Sequence, residues 1–236
     1  LPPVSPLPVE GDGEAGVVLF GGTFDPPPVG HVALAAAARD AAAPGAWLVF
    51  VPAARSPHKE RGPIASDADR VEMLRLAIAE APRSVVWTDE IDRAEAGGQN
   101  EASYWVITLE RARTARGPDV PMHFIVGADQ AVAFRRWREP ERVLQLAEPV
   151  VLVREPIGSA AALEAAMRAS GEADSDWIDR WRGWCVRAPK SDASSTAVRA
   201  ALAAGDARTA SAMLAPGVAA YIDERGLYES GKEEGR

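Results

Sequence analysis

Short apolar segments alternate with helix-forming segments along most of this chain, and this alternation restricts its fold more than any other feature. The apolar segments favour β-strands because they are short and rich in Val, Ile, Leu, Phe and Trp. Several are apolar on both faces, as strands buried inside a parallel sheet are. The segments are "GVVLF", "AWLVFVP", "SVVWTDE", "PMHFIVG", "PVVLVRE" and "GWCVRAP". Parallel strands joined by helices form right-handed βαβ units, so the pattern predicts an α/β protein.

The segments between the strands carry ordinary helix signals. Residues 29–43 are rich in alanine, and "SDADRVEMLRLAIAEA" places Ser66 as an N-cap before an apolar face of Val71, Leu74 and Ile78. The C-terminal third reads as successive helices in "SSTAVRAALAAG", "DARTASAMLA" and "PGVAAYIDERG". We therefore predict a Rossmann-like, doubly wound parallel sheet with a helical C-terminal portion.

The length of 236 residues suits a single α/β domain, which we place at 16–228 between flexible tails at 1–15 and 229–236. A net charge of -8 argues against general affinity for nucleic acid or for an anionic membrane. The single cysteine, Cys185, excludes an internal disulfide and fits a reducing cytoplasm, where we expect the protein to be. The sequence has neither a signal-peptide pattern nor the roughly 18 consecutive apolar residues of a membrane helix, and it leaves a homo-oligomer open.

An open parallel sheet binds ligands beyond the carboxyl ends of its strands, near the point where the strand order reverses. The segments that follow the predicted strands are therefore the candidate binding loops. They lie at 21–30, 52–65, 89–102, 127–130 and 188–195.

The first of these loops, "GGTFDPPPVGH", has the composition of an anion cradle. Gly21 and Gly22 allow a sharp turn and a close approach of phosphate to the backbone. The following helix directs its N–H groups and positive dipole end to the same place, where Gly30 leaves space and His31 can reach a phosphoryl oxygen. A tight strand-to-helix turn with a capped histidine is the structural alternative.

A second candidate anion site begins the helix "SSTAVRAAL". Ser194 or Ser195 can cap this helix, and its free N–H groups favour an anion. Arg199 lies one turn further on and can direct its guanidinium at a phosphate. Simple capping beside a surface arginine explains the same residues about equally well.

The full string "GGTFDPPPVGH" resembles the glycine-rich HxGH motif of nucleotidyltransferases, and within them the bacterial nicotinate mononucleotide adenylyltransferases. Further segments resemble motifs of that family in the same order along the chain. They are "SPHK" (56–59), "SYWVITL" (103–109), "GADQAVAFRRW" (127–137), "SSTAVR" (194–199) and "PGVAAYIDERGLY" (216–228). The resemblance implies adenylyl transfer from ATP to nicotinate mononucleotide in NAD biosynthesis. It also implies Mg²⁺ bound with ATP. The sequence has no cluster of carboxylates or histidines that would form a protein-only metal site.

The resemblance assigns a role to each matching residue. The ATP-binding set it implies is Gly21, Gly22, Thr23, Phe24, Gly30, His31, Gly127, Asp129, Ser194, Ser195, Thr196 and Arg199. The mononucleotide-binding set is His58, Lys59, Tyr104, Trp105 and Trp137, and the catalytic set is His31, Lys59 and Arg199. Several of these residues also have a purely structural interpretation. A surface position accounts for His58 and Lys59, a helix N-cap for Asp129, and a place in the core for Trp137.

Two positions depart from the family pattern. Pro28 replaces the first histidine of HxGH, which relatives use as a donor to the phosphates, and proline has no donor. Trp105 replaces a threonine close to the pyridine carboxylate, which bears on the choice between nicotinate and nicotinamide. Two other functions therefore stay open: a sister nucleotidyltransferase with a different phosphate acceptor, and a weakly active or non-catalytic nucleotide-binding relative.

Overall fold

A computed structural model of the chain describes residues 4–9, 15–55, 62–97, 103–171, 173–187 and 193–229. Its strands are β1 (Val17–Gly22), β2 (Trp47–Pro52), β3 (Ser84–Val86), β4 (Met122–Gly127), β5 (Glu148–Val153) and β6 (Cys185–Arg187). They form one sheet in the order β3-β2-β1-β4-β5-β6, and every neighbouring pair is parallel. The predicted doubly wound fold is confirmed, and its strand order reverses between β1 and β4.

Helices connect the strands and continue beyond the last one. They are α1 (Val29–Ala42), α2 (Asp67–Ile78), α3 (Asp89–Gly97), α4 (Trp105–Arg116), α5 (Ala128–Val132), a 3₁₀ turn (Phe134–Arg136), α6 (Pro140–Leu146), α7 (Ala160–Ser170), α8 (Ser175–Arg182), α9 (Ser195–Ala203), α10 (Ala207–Ala212) and α11 (Pro216–Arg225). Ser66 is the N-cap of α2, as predicted, and its hydroxyl accepts the N–H of Asp69 at 3.1 Å.

The apolar core lies on both faces of the sheet because successive strand residues point to opposite sides. Val17 and Leu19 of β1 belong to one buried cluster, whereas Val18, between them, belongs to the other. A third cluster joins α2 to the C-terminal helices through residues such as Met73 and Val218. This packing holds the helical C-terminal portion against α2.

Residues 4–9, which the sequence assigns to a tail, lie against the domain. The Ser5 hydroxyl donates to Asp92 at 2.6 Å, and the indole N–H of Trp87 donates to the Ser5 carbonyl at 3.1 Å. Val4, Leu7 and Val9 pack against the first buried cluster. Within the described part of the chain, no helix combines the length and the apolar character needed to cross a membrane.

Candidate active site

The glycines that end β1 lie directly against two aromatic rings. A Cβ atom at Gly21 would be 2.7 Å from the ring of Trp105, and one at Gly22 would be 3.0 Å from the ring of Phe24. Any larger residue would therefore displace a ring. From the sequence, these glycines are explained by the close approach of phosphate. The structure adds a second reason, which is the space that the two rings occupy, and this could not be seen without the positions of the rings.

Phe24 is held in a backbone conformation that most residues avoid. Its φ of +50° is in the left-handed region, which costs an L-residue roughly 1–2 kcal/mol. The ring is buried and packs edge-on against Phe20 at 5.6 Å, Phe50 at 5.9 Å and His31 at 6.1 Å between centroids. These contacts retain the unfavourable turn and fix the path of the loop from residue 23 to 28, which we call the phosphate loop.

The phosphate loop leads straight into α1, whose N-cap is Pro28. Pro28 is buried and offers no side-chain cap. The N–H of Val29 donates to the Met213 carbonyl at 3.0 Å, and the N–H of His31 donates to the Pro28 carbonyl at 3.0 Å. The half-buried His31 ring lies beside Phe20 and Phe24, at the mouth of the helix.

The start of α9 is bonded to this same loop. Ser194 is the N-cap, because its hydroxyl accepts the N–H of Ala197 at 3.1 Å. The Ser195 hydroxyl donates to the Pro26 carbonyl at 2.8 Å, and the Arg199 guanidinium donates to the Asp25 carbonyl at 2.5 Å. Two motifs separated by more than 160 residues therefore meet at one edge of the sheet.

An aromatic group lies at the same edge, on the side of α4. The N–H of Ser103 donates to the Arg55 carbonyl after β2 at 3.0 Å, which fixes the beginning of α4 next to the end of β2. Trp105 packs edge-on against Phe124, and the Trp137 ring lies 4.7 Å from that of Phe134.

Arg138 belongs to this group, although no motif marks it in the sequence. Its guanidinium lies over the Tyr104 ring, 4.7 Å from the centroid, and its Nε is 3.6 Å from a carboxylate oxygen of Glu139. The contact joins the segment after the 3₁₀ turn to the first residues of α4. It places a partly exposed positive charge beside Tyr104 and one residue from Trp137.

The end of β4 lies at the same edge of the sheet. Gly127 is the N-cap of α5 without any side-chain cap, so Asp129 is not the capping residue. Asp129 is exposed, and its carboxylate folds back so that a Cβ at Gly127 would lie 2.7 Å from Oδ1. An exposed carboxylate at this edge can accept hydrogen bonds from the hydroxyls of a ligand.

A buried ionic cluster joins α4 to α3. Arg111 binds Asp89 with two hydrogen bonds of 2.6 and 2.7 Å, and Thr108 donates to Glu90 at 2.5 Å. Burial raises the pKa of the Glu90 carboxyl. Hydrogen bonds from the Thr108 and Ser103 hydroxyls and the charge of Arg93 lower this pKa, but they offset the effect of burial only in part.

The sequence matches known proteins along most of its length. The model of the cytidylyltransferase-like family matches residues 19–201. A relative from Rhodopirellula baltica, named "Probable nicotinate-nucleotide adenylyltransferase", is 34% identical over 215 residues, which cover 90% of this chain and 93% of the relative. The chain belongs to the nicotinate-nucleotide adenylyltransferase family. A family member of the same name from Marinobacter nauticus is 37% identical over 93% of this chain and 99% of its own.

Solved structures share the fold of this family member. The nicotinic acid mononucleotide adenylyltransferase of Plasmodium falciparum, solved in complex with NaAD, superposes with a TM-score of 0.65 and covers 91% of this chain and 97% of its own. The same protein in complex with APC gives a TM-score of 0.64. Both are 15% identical to this chain, so the likeness concerns the fold.

In this adenylyltransferase-family chain, most of the described predicted site residues fall into two groups at the carboxyl edge of the sheet, and Gly127 and Asp129 lie at the end of β4. The phosphate loop, His31 and α9 form one group, and Tyr104, Trp105 and Trp137 form the other. His58 and Lys59 lie outside the described residues. Among the residues that are described, no three or more His, Cys, Asp or Glu side chains cluster in a way that could hold a metal ion.

Proposed function

We propose that this chain transfers the adenylyl group of ATP to nicotinate mononucleotide, which yields nicotinate adenine dinucleotide and pyrophosphate for NAD biosynthesis. One observation carries the proposal: Arg199 and Ser195 of α9 bond to the phosphate loop at the point where the strand order reverses. Helix N-termini and arginine are the usual partners of phosphate. The name shared by the relatives, which align along nearly the whole chain, supports this reaction.

ATP would bind across the phosphate loop and the start of α9. The N-terminal amides of α9, the Thr196 hydroxyl and the Arg199 guanidinium would hold the β- and γ-phosphates, with His31 at the α-phosphate. The glycines at 21, 22, 30 and 127 would leave room for the nucleotide, and Asp129 would accept hydrogen bonds from the ribose. Mg²⁺ would enter on the triphosphate as part of the substrate.

The mononucleotide would bind on the aromatic side. Trp137 offers a flat face to the pyridine ring, and the Tyr104 and Trp105 segment would enclose it. Arg138 would attract an acidic substituent on that ring. His58 and Lys59, in the loop after β2, are proposed as partners of the mononucleotide phosphate on the strength of the sequence motif.

The chemistry requires little from the protein beyond position and charge. A phosphate oxygen of the mononucleotide attacks the α-phosphorus of ATP, and the bond from this phosphorus to the bridging oxygen of the β-phosphate breaks. The bonding electrons leave with pyrophosphate, and no proton has to move for the exchange to balance. His31, Arg199 and Lys59 would stabilise the charge on the phosphoryl oxygens while the two substrates are held in line.

The test is an assay of pyrophosphate release by the purified protein with ATP and Mg²⁺. The acceptors are nicotinate mononucleotide, nicotinamide mononucleotide and phosphopantetheine, and CTP replaces ATP in a parallel series. We expect release with nicotinate mononucleotide and ATP. A faster reaction with phosphopantetheine or with CTP would replace the proposal by a sister nucleotidyltransferase. ATP binding without pyrophosphate release in the presence of any acceptor would indicate a non-catalytic nucleotide-binding relative, which is the alternative that Pro28 raises.

A further inference from the structure

The carboxylate of Asp25 is buried at the centre of the phosphate loop, with a relative exposure of 5%. It accepts three hydrogen bonds, from the N–H of Ile64 at 2.8 Å, the N–H of Ala65 at 3.1 Å and the hydroxyl of Tyr228 at 2.7 Å. A buried carboxylate needs such donors because it has lost its hydration. The side chain of Asp25 therefore ties the loop to the segment before α2 and to the segment after α11.

The backbone of the loop is held independently by two arginines. Arg70, which is fully buried, donates to the Thr23 carbonyl at 2.6 Å, and Arg199 donates to the carbonyl of Asp25 itself. The carbonyl and the N–H of a trans peptide point in opposite directions. Arg70 therefore turns the N–H of Phe24 away from α2 and sets the direction of this peptide.

Tyr228 reaches the loop because the chain turns back after α11. Gly226 ends the helix with a φ of +57°, and the N–H of Leu227 donates to the Ile222 carbonyl at 3.0 Å. The turn places the Tyr228 hydroxyl on a residue 203 positions earlier in the sequence. Burial and the neighbouring Asp25 carboxylate raise the pKa of the Tyr228 hydroxyl, so it remains a proton donor at neutral pH.

We infer that Tyr228 is a positioning residue of the ATP site, whose hydroxyl holds the phosphate loop, through Asp25, in the shape that meets α9. The inference rests on the proposed function. The same aspartate supplies its carboxylate to Tyr228 and its carbonyl to Arg199, so a movement at one bond displaces the other. Arg199 would then lose the alignment with the triphosphate that in-line transfer requires.

The chain contains its own control for this inference. Tyr221, on α11, donates to the carboxylate of Asp69 on α2 at 2.9 Å, which is the same type of bond as that of Tyr228 to Asp25. The other hydrogen bonds of the Asp69 carboxylate come from Ser66 and Arg225, and none of its described hydrogen bonds involves the phosphate loop. Both changes remove a hydroxyl that donates to a buried carboxylate and should lower stability, but only the loss at Tyr228 should reach the loop.

The experiment compares Tyr228→Phe with Tyr221→Phe. We expect Tyr228→Phe to lower kcat/KM for ATP by about fivefold to tenfold, mainly through kcat, with the KM for the mononucleotide within about twofold of the parent. Tyr221→Phe should stay within about twofold in every constant, although both variants lower Tm. Equal losses in the two variants, in proportion to Tm, would overturn the inference.

A double-mutant cycle with Asp25→Asn tests the route of the effect. If Tyr228 acts through Asp25, the loss in the double variant should be smaller than the product of the single losses, because both changes break one bond. Independent, multiplying losses would contradict that route. If the parent makes no dinucleotide, the proposed function fails and calorimetric ATP binding decides the inference. Weaker binding in Tyr228→Phe alone then supports it, and equal binding in both variants overturns it.

Discussion

At the scale of single residues, the mouth of α1 has one imidazole where the family motif has two. His31 lies beside Phe20 and Phe24, and Pro28 occupies the N-cap position without a side-chain donor. In the proposed site, the remaining donors would be His31, the helix N-terminal amides, Arg199 and Lys59. Since a single donor to developing charge is worth about 10²–10³ in rate in well-studied sites, position 28 should limit turnover.

We expect Pro28→His to raise kcat by about tenfold or more with little change in either KM, because the added donor acts mainly in the transition state. Pro27→His is the matched control, since it places the same side chain one residue earlier in the same buried loop. Steady-state kinetics with ATP and nicotinate mononucleotide gives both constants. A Pro28→His variant no faster than the parent, or a Pro27→His variant equally improved, would contradict the role of a missing donor.

The half-buried Trp137 ring packs on one side against that of Phe134, with 4.7 Å between the centroids. If the other side stacks on the pyridine, Trp137→Ala should raise the KM for the mononucleotide by about fivefold, as expected for a stack worth on the order of 1 kcal/mol. The KM for ATP should stay close to normal, and Trp137→Phe should recover part of the loss. Kinetics with each substrate varied in turn would refute the stack if both KM values rose together.

At the scale of elements, α3 and α4 are joined by charges that are almost entirely buried. Asp89 is matched by Arg111, whereas Glu90 depends on Thr108, Ser103 and the nearby Arg93. Because burial raises the pKa of Glu90, the folded protein keeps a proton that the unfolded chain releases at lower pH. The free energy of unfolding therefore falls as the pH rises from the unfolded pKa through the raised folded value.

Glu90→Gln should remove this dependence, because the amide oxygen can still accept from Thr108 and carries no charge. We expect the variant to have a higher Tm than the parent at pH 8, with a difference that shrinks towards pH 4. Glu110→Gln, which removes an exposed carboxylate on α4, controls for the change in net charge. Calorimetric unfolding at a series of pH values would contradict the assignment if the two variants followed the same curve.

The elements differ in how far their sequence predicts them. The strands and α2 were predictable because the apolar runs and the Ser66 cap are local signals. The segment 89–102 reads as a loop in the sequence, yet α3 occupies its first nine residues, because the charged residues Asp89, Glu90 and Arg93 fill buried positions that apolar residues usually mark. We also did not predict α8, although Asp174 caps it and Trp177, Ile178 and Trp181 form its buried face. The bonds of Asp25 to Ile64 and Tyr228 were beyond prediction, because their partners meet only in the tertiary structure.

At the scale of the whole molecule, the proposed acceptor side is assembled from distant parts of the chain. The loop after β2, the start of α4 and the residues before α6 meet there through the Ser103–Arg55 and Arg138–Tyr104 contacts. The molecule carries a net charge of -8, so a local positive charge is needed to favour an acidic substrate over its neutral analogue. Arg138 supplies such a charge beside the aromatic group.

We therefore expect nicotinate mononucleotide to be preferred over nicotinamide mononucleotide, with a higher kcat/KM. Arg138→Gln should reduce this preference by about threefold to tenfold, because it removes the attraction for the ring carboxylate and leaves the amide substrate little affected. Arg142→Gln is the control, since Arg142 is a similarly exposed arginine on α6 that pairs with Glu110. The ratio of kcat/KM for the two acceptors is measured in the parent and both variants. Equal use of the acceptors by the parent would refute the preference. An unchanged ratio in Arg138→Gln would move the source of selectivity to the Trp105 segment, whose ring closes over Gly21 where the family has a threonine.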